Sequence, residues 1–357
     1  MSEWVKSLFN AWPMLLLMTY ALISSSWSIW SSVSIYETIW QYILLVYASV
    51  LVTSAGRIDI QKISKQLVMV WLVIVGLSVL VFDYAAGRII EVKGLYPHKN
   101  NLGIISAFVF LVGLSTLEKN KITKIMLFGV LFILISSLSK TSMALVCFIL
   151  LTYGLMNIAK KIMNKRITDI LFKAIGTCAF LALIWLLSNQ EQFLNFIFNN
   201  LPDEALTGRG RLWIVMLEHA YDRTLFGLGY GSVWGLGEYS EIQFTELIKT
   251  SPLWVEQLAA SDGGYVDIIL SLGFVGLFIF MLIIGWYYWN LRNLFLAGVN
   301  NKLVFALYSC GTLFVLHNIT ETTVLLANNL LWLGFITCLI VLRKESTLLL
   351  DKDRDYD

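Results

Sequence analysis

Residues 264–290 read GYVDIILSLGFVGLFIFMLIIGWYYWN, a run with one charged side chain, Asp267. A bilayer core of about 30 Å is crossed by roughly 20 apolar residues in a helix, which satisfies its own backbone polar groups where no water can. The stretch is therefore long enough to span and too apolar for a wet surface. The rest of the chain shares its character. Of 357 residues, 58% are hydrophobic and 14% charged, against about 25% charged in soluble domains. That composition excludes a soluble globular domain.

The same ruler places about ten spans, near 12–31, 36–56, 66–86, 102–118, 122–139, 141–159, 168–188, 264–290, 302–319 and 324–342. The expected fold is an all-α polytopic membrane protein. Residues 1–188 form an N-terminal bundle of about seven helices, 189–263 are too polar to span, 264–342 add about three helices, and 343–357 form a tail. The fifth and sixth spans abut at Ser139-Lys140-Thr141, which predicts a tight hairpin. Within 189–263, Leu212, Trp213, Met216, Leu217 and Ala220 recur at helical spacing, and Ser251-Pro252 reads as an N-cap before a helix-opening proline. These amphipathic helices are expected to lie on the membrane face or cap a cavity. The first apolar run lacks a small-residue cleavage site and is followed by further spans, so no cleavable signal peptide is expected. Cys147, Cys178, Cys310 and Cys338 sit inside apolar runs and read as packing residues.

Orientation follows from Lys and Arg, which collect in cytoplasmic loops. With both termini inside, 18 of the 26 basic residues fall on the inner side, including Arg57, Lys119 and the cluster Lys160 to Lys173. Eight remain outside: Arg88, Lys93, Lys99, Lys140, Arg209, Arg211, Arg223 and Lys249. The segment 189–263 is then one large extracytoplasmic loop.

The outer cations fall in clusters, which marks them as candidates. His98, Lys99 and Asn100 follow Pro97 at the N-terminus of the fourth span, where free N–H groups and the helix dipole favour an anion. An interfacial cap with a snorkelling lysine is the bland alternative. Lys140 stands in a hydroxyl-rich island, Ser137 to Ser142, and reads equally as an interfacial anchor. Arg209 and Arg211, one residue apart at a helix opening, suit a diphosphate because guanidinium forks bind phosphate oxygens in pairs; a surface ion pair is the other reading. The run Gly227-Leu228-Gly229-Tyr230-Gly231 has no preceding strand and no following Lys-Ser/Thr, so it reads as a turn or close helix packing rather than a nucleotide loop. Asp262, Asp267 and Glu321, the last near His317, are the acidic candidates at membrane depth. Asp267 could alternatively pair with an arginine to hold the loop down.

Taken in order, G-x-x-x-H-K-N-x-L-G, S-x-S-K-T, T-G-R-x-R-L-W, the glycine run and G-Y-V-D-I-I-L-x-L-G-x-V-G resemble the O-antigen ligase and O-antigen/exopolysaccharide polymerase family of bacterial membrane glycosyltransferases, from about residue 83 to 340. The resemblance implies a GT-C-like helical fold in the inner (plasma) membrane of a bacterium, with the active site facing the periplasm or exterior. It implies transfer of a glycan from polyprenyl diphosphate to an acceptor glycan, serving O-antigen, capsule or other envelope polysaccharide, with no cofactor, metal or nucleotide. The expected partners are that lipid-linked oligosaccharide, the acceptor, membrane lipids, a flippase and a chain-length regulator, and no nucleic acid.

Carried over residue by residue, His98, Lys99 and Asn100 match the H-K-N motif. Lys140 holds a position usually basic, Arg209 matches the loop arginine, and Glu321 matches an acidic position before the last span. One departure matters: members often read A-H-N-G-Y-L-D where this chain has Ser261-Asp262-Gly263-Gly264-Tyr265-Val266-Asp267, so Asp262 replaces the histidine assigned a catalytic role in ligases. This shifts the expectation toward a polymerase, with a ligase and a non-enzymatic lipid-linked glycan transporter as alternatives. The expected catalytic groups are Asp262, His98 and Arg209. Arg211, Lys99, Asn100, Lys140, Arg88, Glu321 and His317 are expected to bind diphosphate or glycan.

Overall fold

Each of the ten predicted spans contains a helix in the computed structural model, which describes residues 3–55, 60–118, 120–163, 165–202, 205–256 and 258–354. The helices are α1 (Glu3–Asn10), α2 (Trp12–Ile23), α3 (Ser31–Ala55), α4 (Ile60–Val79), α5 (Lys99–Thr116), α6 (Lys121–Ser136), α7 (Lys140–Ile162) and α8 (Lys165–Ser188). They continue with α9 (Gln190–Asn200), α10 (Ala205–His219), α11 (Leu247–Thr250), α12 (Pro252–Val255), α13 (Gly264–Ala297), α14 (Asn301–His317) and α15 (Leu330–Arg354). Among the described residues no strand occurs, and six helices are long and apolar enough to cross a membrane: α3, α4 with its continuation through Tyr84, α5, α7, α8 and α13. The spans assigned to α2, α6 and α14 are shorter, and α15 turns polar in its second half. Arg57 and Lys119, counted above as inner cations, and residues 355–357 of the tail lie outside the described residues.

Large apolar side chains face outward along the bundle, such as Phe128 (70% exposed) on α6 and Ile175 (67%) on α8. Water would penalise such a surface; lipid does not. The interior is aromatic toward the C-terminal helices. Phe314 stacks on Phe335 with ring centroids 4.4 Å apart, and Trp332 and Tyr287 extend the cluster. Such contacts add roughly 0.5–1.5 kcal/mol each beyond their burial. Phe314 lies one turn before His317 on α14, so this aromatic core adjoins the candidate site.

Two boundaries depart from expectation. The last helix starts at Leu330 rather than 324 because Asn318 organises the preceding segment into a loop. Its Oδ1 accepts the N–H groups of Thr323 (3.0 Å) and Val324 (2.9 Å), and its Nδ2 donates to the Phe314 carbonyl. The tail proves helical to Arg354, since no Gly or Pro interrupts 343–354. Ser251 stands at the N-cap and Pro252 opens α12 as expected, although α12 is a single turn and the Ser251 side chain makes no capping bond.

The long segment docks onto a break in α13. Gly273 adopts φ 69°, ψ −173° inside that helix, and a β-carbon there would fall 2.3 Å from the Leu225 carbonyl oxygen. A helix broken at membrane depth leaves polar backbone groups to be satisfied. The loop supplies the partners. Leu228 and Gly229 N–H groups donate to the Leu270 and Ser271 carbonyls at 2.8 and 3.0 Å, while Phe274 and Val275 donate to Thr224 and Leu225 at 2.8 and 3.1 Å. Tyr20 Oη donates to the Leu272 carbonyl at 3.0 Å. The glycine run is thus the docking strip, with positive φ at Gly227, Gly229 and Gly231. Beyond it, buried Gln41 of α3 donates to Tyr230 Oη and the Leu325 carbonyl, each at 2.7 Å, and accepts from Trp332 Nε1 at 2.8 Å. Burial pushes the Tyr230 phenol well above its ordinary pKa, so it stays a protonated donor, here to the Leu325 carbonyl.

Candidate active site

Four segments meet where the loop joins the bundle: the start of α5, the second turn of α10, the residues before α13 and the loop after α14. Pro97 leads into His98, whose extended backbone (φ −137°, ψ 150°) makes it the N-cap of α5. Its Nδ1 accepts the Asn100 N–H at 3.3 Å, which assigns the imidazole proton to Nε2. Asn100 Nδ2 in turn donates to Glu321 Oε1 at 3.1 Å, a contact between residues 221 positions apart.

Arg209 reaches the same carboxylate. Its Nη2 donates to Glu321 Oε1 at 2.9 Å, its Nη1 donates to the Thr320 carbonyl, and its Nε lies 3.3 Å from Asp262 Oδ2. The two carboxylates hold it unequally. Arg209 and Glu321 are each about one-fifth exposed (20% and 18%), whereas Asp262 is 45% exposed and more distant. Solvent-exposed pairs contribute only about 0–1 kcal/mol, and shielded pairs with shared hydrogen bonds contribute more. Glu321 is the closer, more shielded partner and Asp262 the more exposed one.

Asp262 sits at φ 55°, in the left-handed region that Asp tolerates better than most side chains. Its neighbours fix it there. Ser261 N–H donates to Asp267 Oδ1 at 3.1 Å, Trp213 Nε1 donates to the Ser261 carbonyl at 2.8 Å, and Gly263 N–H donates to Thr322 Oγ1 at 3.1 Å. Gly264 is required for close approach, because a β-carbon would fall 2.2 Å from Asn318 Oδ1. Asp267 therefore does tie the loop down, but through Trp234 Nε1 (2.8 Å), Ser261 and Thr322 rather than through an arginine. His317 closes the site from below. It is buried, its carbonyl accepts the Thr320 and Glu321 N–H groups at 3.1 Å, and its Nδ1 has no hydrogen-bond partner among the described residues.

The other expected cations are distributed differently. Arg209 does not open its helix: α10 begins at Ala205, so Arg209 and Arg211 lie two apart on a formed helix and point to different faces. They cannot share one fork. Arg211 is exposed and has no ion-pair partner among the described residues. Lys140, the first residue of α7, is likewise exposed and unpaired among them; Ser139 before it packs at Gly103, one turn along α5 from Asn100. Lys99 pairs with Glu91 at 2.6 Å, which holds that carboxyl below its usual range. Arg88 pairs at 2.9 Å with Asp83, a buried carboxylate that also accepts the Lys93 and Gly94 N–H groups. Arg88 thus folds the α4–α5 connection and is not brought into the Arg209 cluster.

Asp83, Ser261, Asn318 and Thr322 were missed in the sequence. Asp83 alone carried a signal, as the one acidic residue in the third span. The others are polar residues in polar loops, whose partners only the fold reveals.

Residues 125–281 match the sequence model of a family described as O-antigen ligase. That stretch is similar to the O-antigen ligase family. The match takes in Lys140, Arg209, Arg211, Asp262 and Asp267, and confirms the resemblance to the ligase and polymerase family. His98 to Asn100, His317 and Glu321 lie beyond its ends, yet Asn100 and Glu321 are hydrogen-bonded to each other and, through Glu321, to Arg209 inside it. No curated protein sequence matches the chain. The match and the apolar helices together support an integral membrane protein with a domain similar to O-antigen ligases.

Proposed function

We propose that the protein is a polysaccharide polymerase that joins oligosaccharide repeat units carried on polyprenyl diphosphate, at the outer face of the bacterial inner membrane. The observation that supports this most is the asymmetric hold on Arg209. A donor diphosphate approaching from the exposed side competes with Asp262, the weaker partner, for the guanidinium, while Glu321 and Asn100 keep the side chain aimed. Lys140 and Arg211 add positive charge with no internal pair to break. Displaced Asp262 becomes a free carboxylate beside the reacting sugar.

The transfer then balances. The acceptor hydroxyl oxygen bonds to the anomeric carbon, the bond from that carbon to the phosphate oxygen breaks, and polyprenyl diphosphate leaves with the electron pair. The acceptor's proton passes to Asp262. Charge on the leaving diphosphate grows as the bond breaks, so Arg209 binds the transition state more strongly than the ground state. His98, with its proton on Nε2, is suited to donate a hydrogen bond to a phosphate oxygen rather than to act as the base.

The family description favours a second reading, a ligase that moves finished glycan to lipid A-core or protein, while Asp262 in place of the ligase histidine favours the polymerase. Deleting the gene separates them. A polymerase leaves single repeat units on the carrier, a ligase leaves long chains lipid-linked, and a transporter leaves substrate on the cytoplasmic leaflet.

A further inference from the structure

A cavity of about 260 Å³ lies beside the Arg209 cluster, between the outer end of α3, the loop after the glycine run and the segment after α14. Glu37, Tyr230, Trp234, Asp267, Thr322 and Leu325 are among its lining residues. It shares a wall with the candidate active site: Thr322 follows Glu321 in the chain, and Ser261, which Asp267 holds, precedes Asp262. From the geometry we infer that this cavity is a binding subsite for one uncharged sugar ring of the glycan.

Three features point to that ligand. Its volume is near the lower end of ligand sites, roughly 300 Å³, which fits one ring and not a lipid tail. Its charged lining is purely acidic: among the described residues neither Lys nor Arg lines it, while two carboxylates do. Such a lining offers no cation to a diphosphate or a uronic acid, and Glu37 offers sugar hydroxyls an acceptor. Glu37 has no hydrogen-bond or ion-pair partner among the described residues and is partly exposed, so its acceptors are available. The fold keeps it so, since Gly231 lies against it where a β-carbon would fall 2.9 Å from Glu37 Cγ. Trp234 adds an indole fixed by its 2.8 Å bond to Asp267 Oδ1, a pre-set apolar surface of the kind a sugar face packs on.

Assigning the ring to the transferred glycan rests on the glycosyl-transfer reading above; sugar affinity itself can be measured without it. The test is saturation-transfer NMR on the purified full-length protein in nanodiscs, using methyl hexopyranosides, an N-acetylhexosamine and glucuronate. At least one neutral sugar is expected to bind at millimolar concentration and glucuronate at least about tenfold more weakly. Glu37→Ala and the cavity-filling Ala259→Phe should each weaken binding about tenfold or more, and Arg209→Ala should leave it intact. No neutral-sugar binding, equal binding of glucuronate, or indifference to both cavity variants overturns the subsite. Sugar binding with this pattern in a protein inactive in transfer sustains the subsite and removes the glycosyl-transfer reading alone. In an active protein, a raised KM for acceptor or for donor in Glu37→Ala tells which of the two supplies the ring; unchanged KM for both contradicts its place in the reaction.

Discussion

Arg209 is restrained by Glu321 and the Thr320 carbonyl and more loosely by Asp262, and the difference sets what each substitution should do. Arg209→Ala removes the charge and is expected to abolish transfer with the protein still inserted. Arg209→Lys keeps the charge but loses the fork that reaches three partners, and should lower the rate by about 10²-fold, the usual cost of losing one aimed donor at a developing oxyanion. A lysine variant with full activity would show that charge alone suffices. Asp262→Asn is a clean probe of the base because asparagine also tolerates a left-handed backbone. A fall of about 10²-fold or more is expected from lost proton acceptance. His98→Gln should fall less, since it removes a cap and a donor. If the two variants rank in the opposite order in a transfer assay, the base is His98.

The helix elements were legible in the sequence because lipid demands unbroken apolar runs, and every predicted span holds a helix. The break in α13 was not, since residues 264–290 read as one continuous run and the loop that satisfies the break lies about fifty residues upstream. The same limit hid Glu37. It is the single charged side chain in the described part of the second span, a signal of function at membrane depth, but its cavity exists only once the loop folds over α3. The placement of the two arginines was hidden for a related reason: their spacing reads as a helix opening, and α10 starts early enough to set them on different faces. If the kink anchors the loop, Gly273→Ala should cost about 1–3 kcal/mol in strain, more if Leu225 cannot move, because alanine resists φ 69°. The expected readouts are a lower melting temperature in detergent and faster proteolysis within 220–235. Unchanged proteolysis there would mean that the loop is held elsewhere.

At the scale of the whole molecule, the residues of the site lie at one end of the bundle, and Lys160, Arg292 and Asp169 meet at the other, where Lys160 donates to the Phe295 carbonyl and Arg292 pairs with Asp169. Positive-inside bias predicts that the site faces outward. A cysteine at Lys249 should then react with an impermeant maleimide in intact spheroplasts, and one at Lys302 only after lysis; the reverse pattern would invert the topology. The match at residues 125–281 supports the type of protein, and the charge balance around Arg209 carries the proposed mechanism. The most direct test is reconstitution in proteoliposomes with one synthetic polyprenyl-diphosphate repeat unit as both donor and acceptor. Lengthened lipid-linked glycan and one released polyprenyl diphosphate per linkage are expected, both absent with Arg209→Ala. Failure of the inserted wild-type protein to lengthen the glycan, or equal lengthening by Arg209→Ala, would contradict the proposed mechanism.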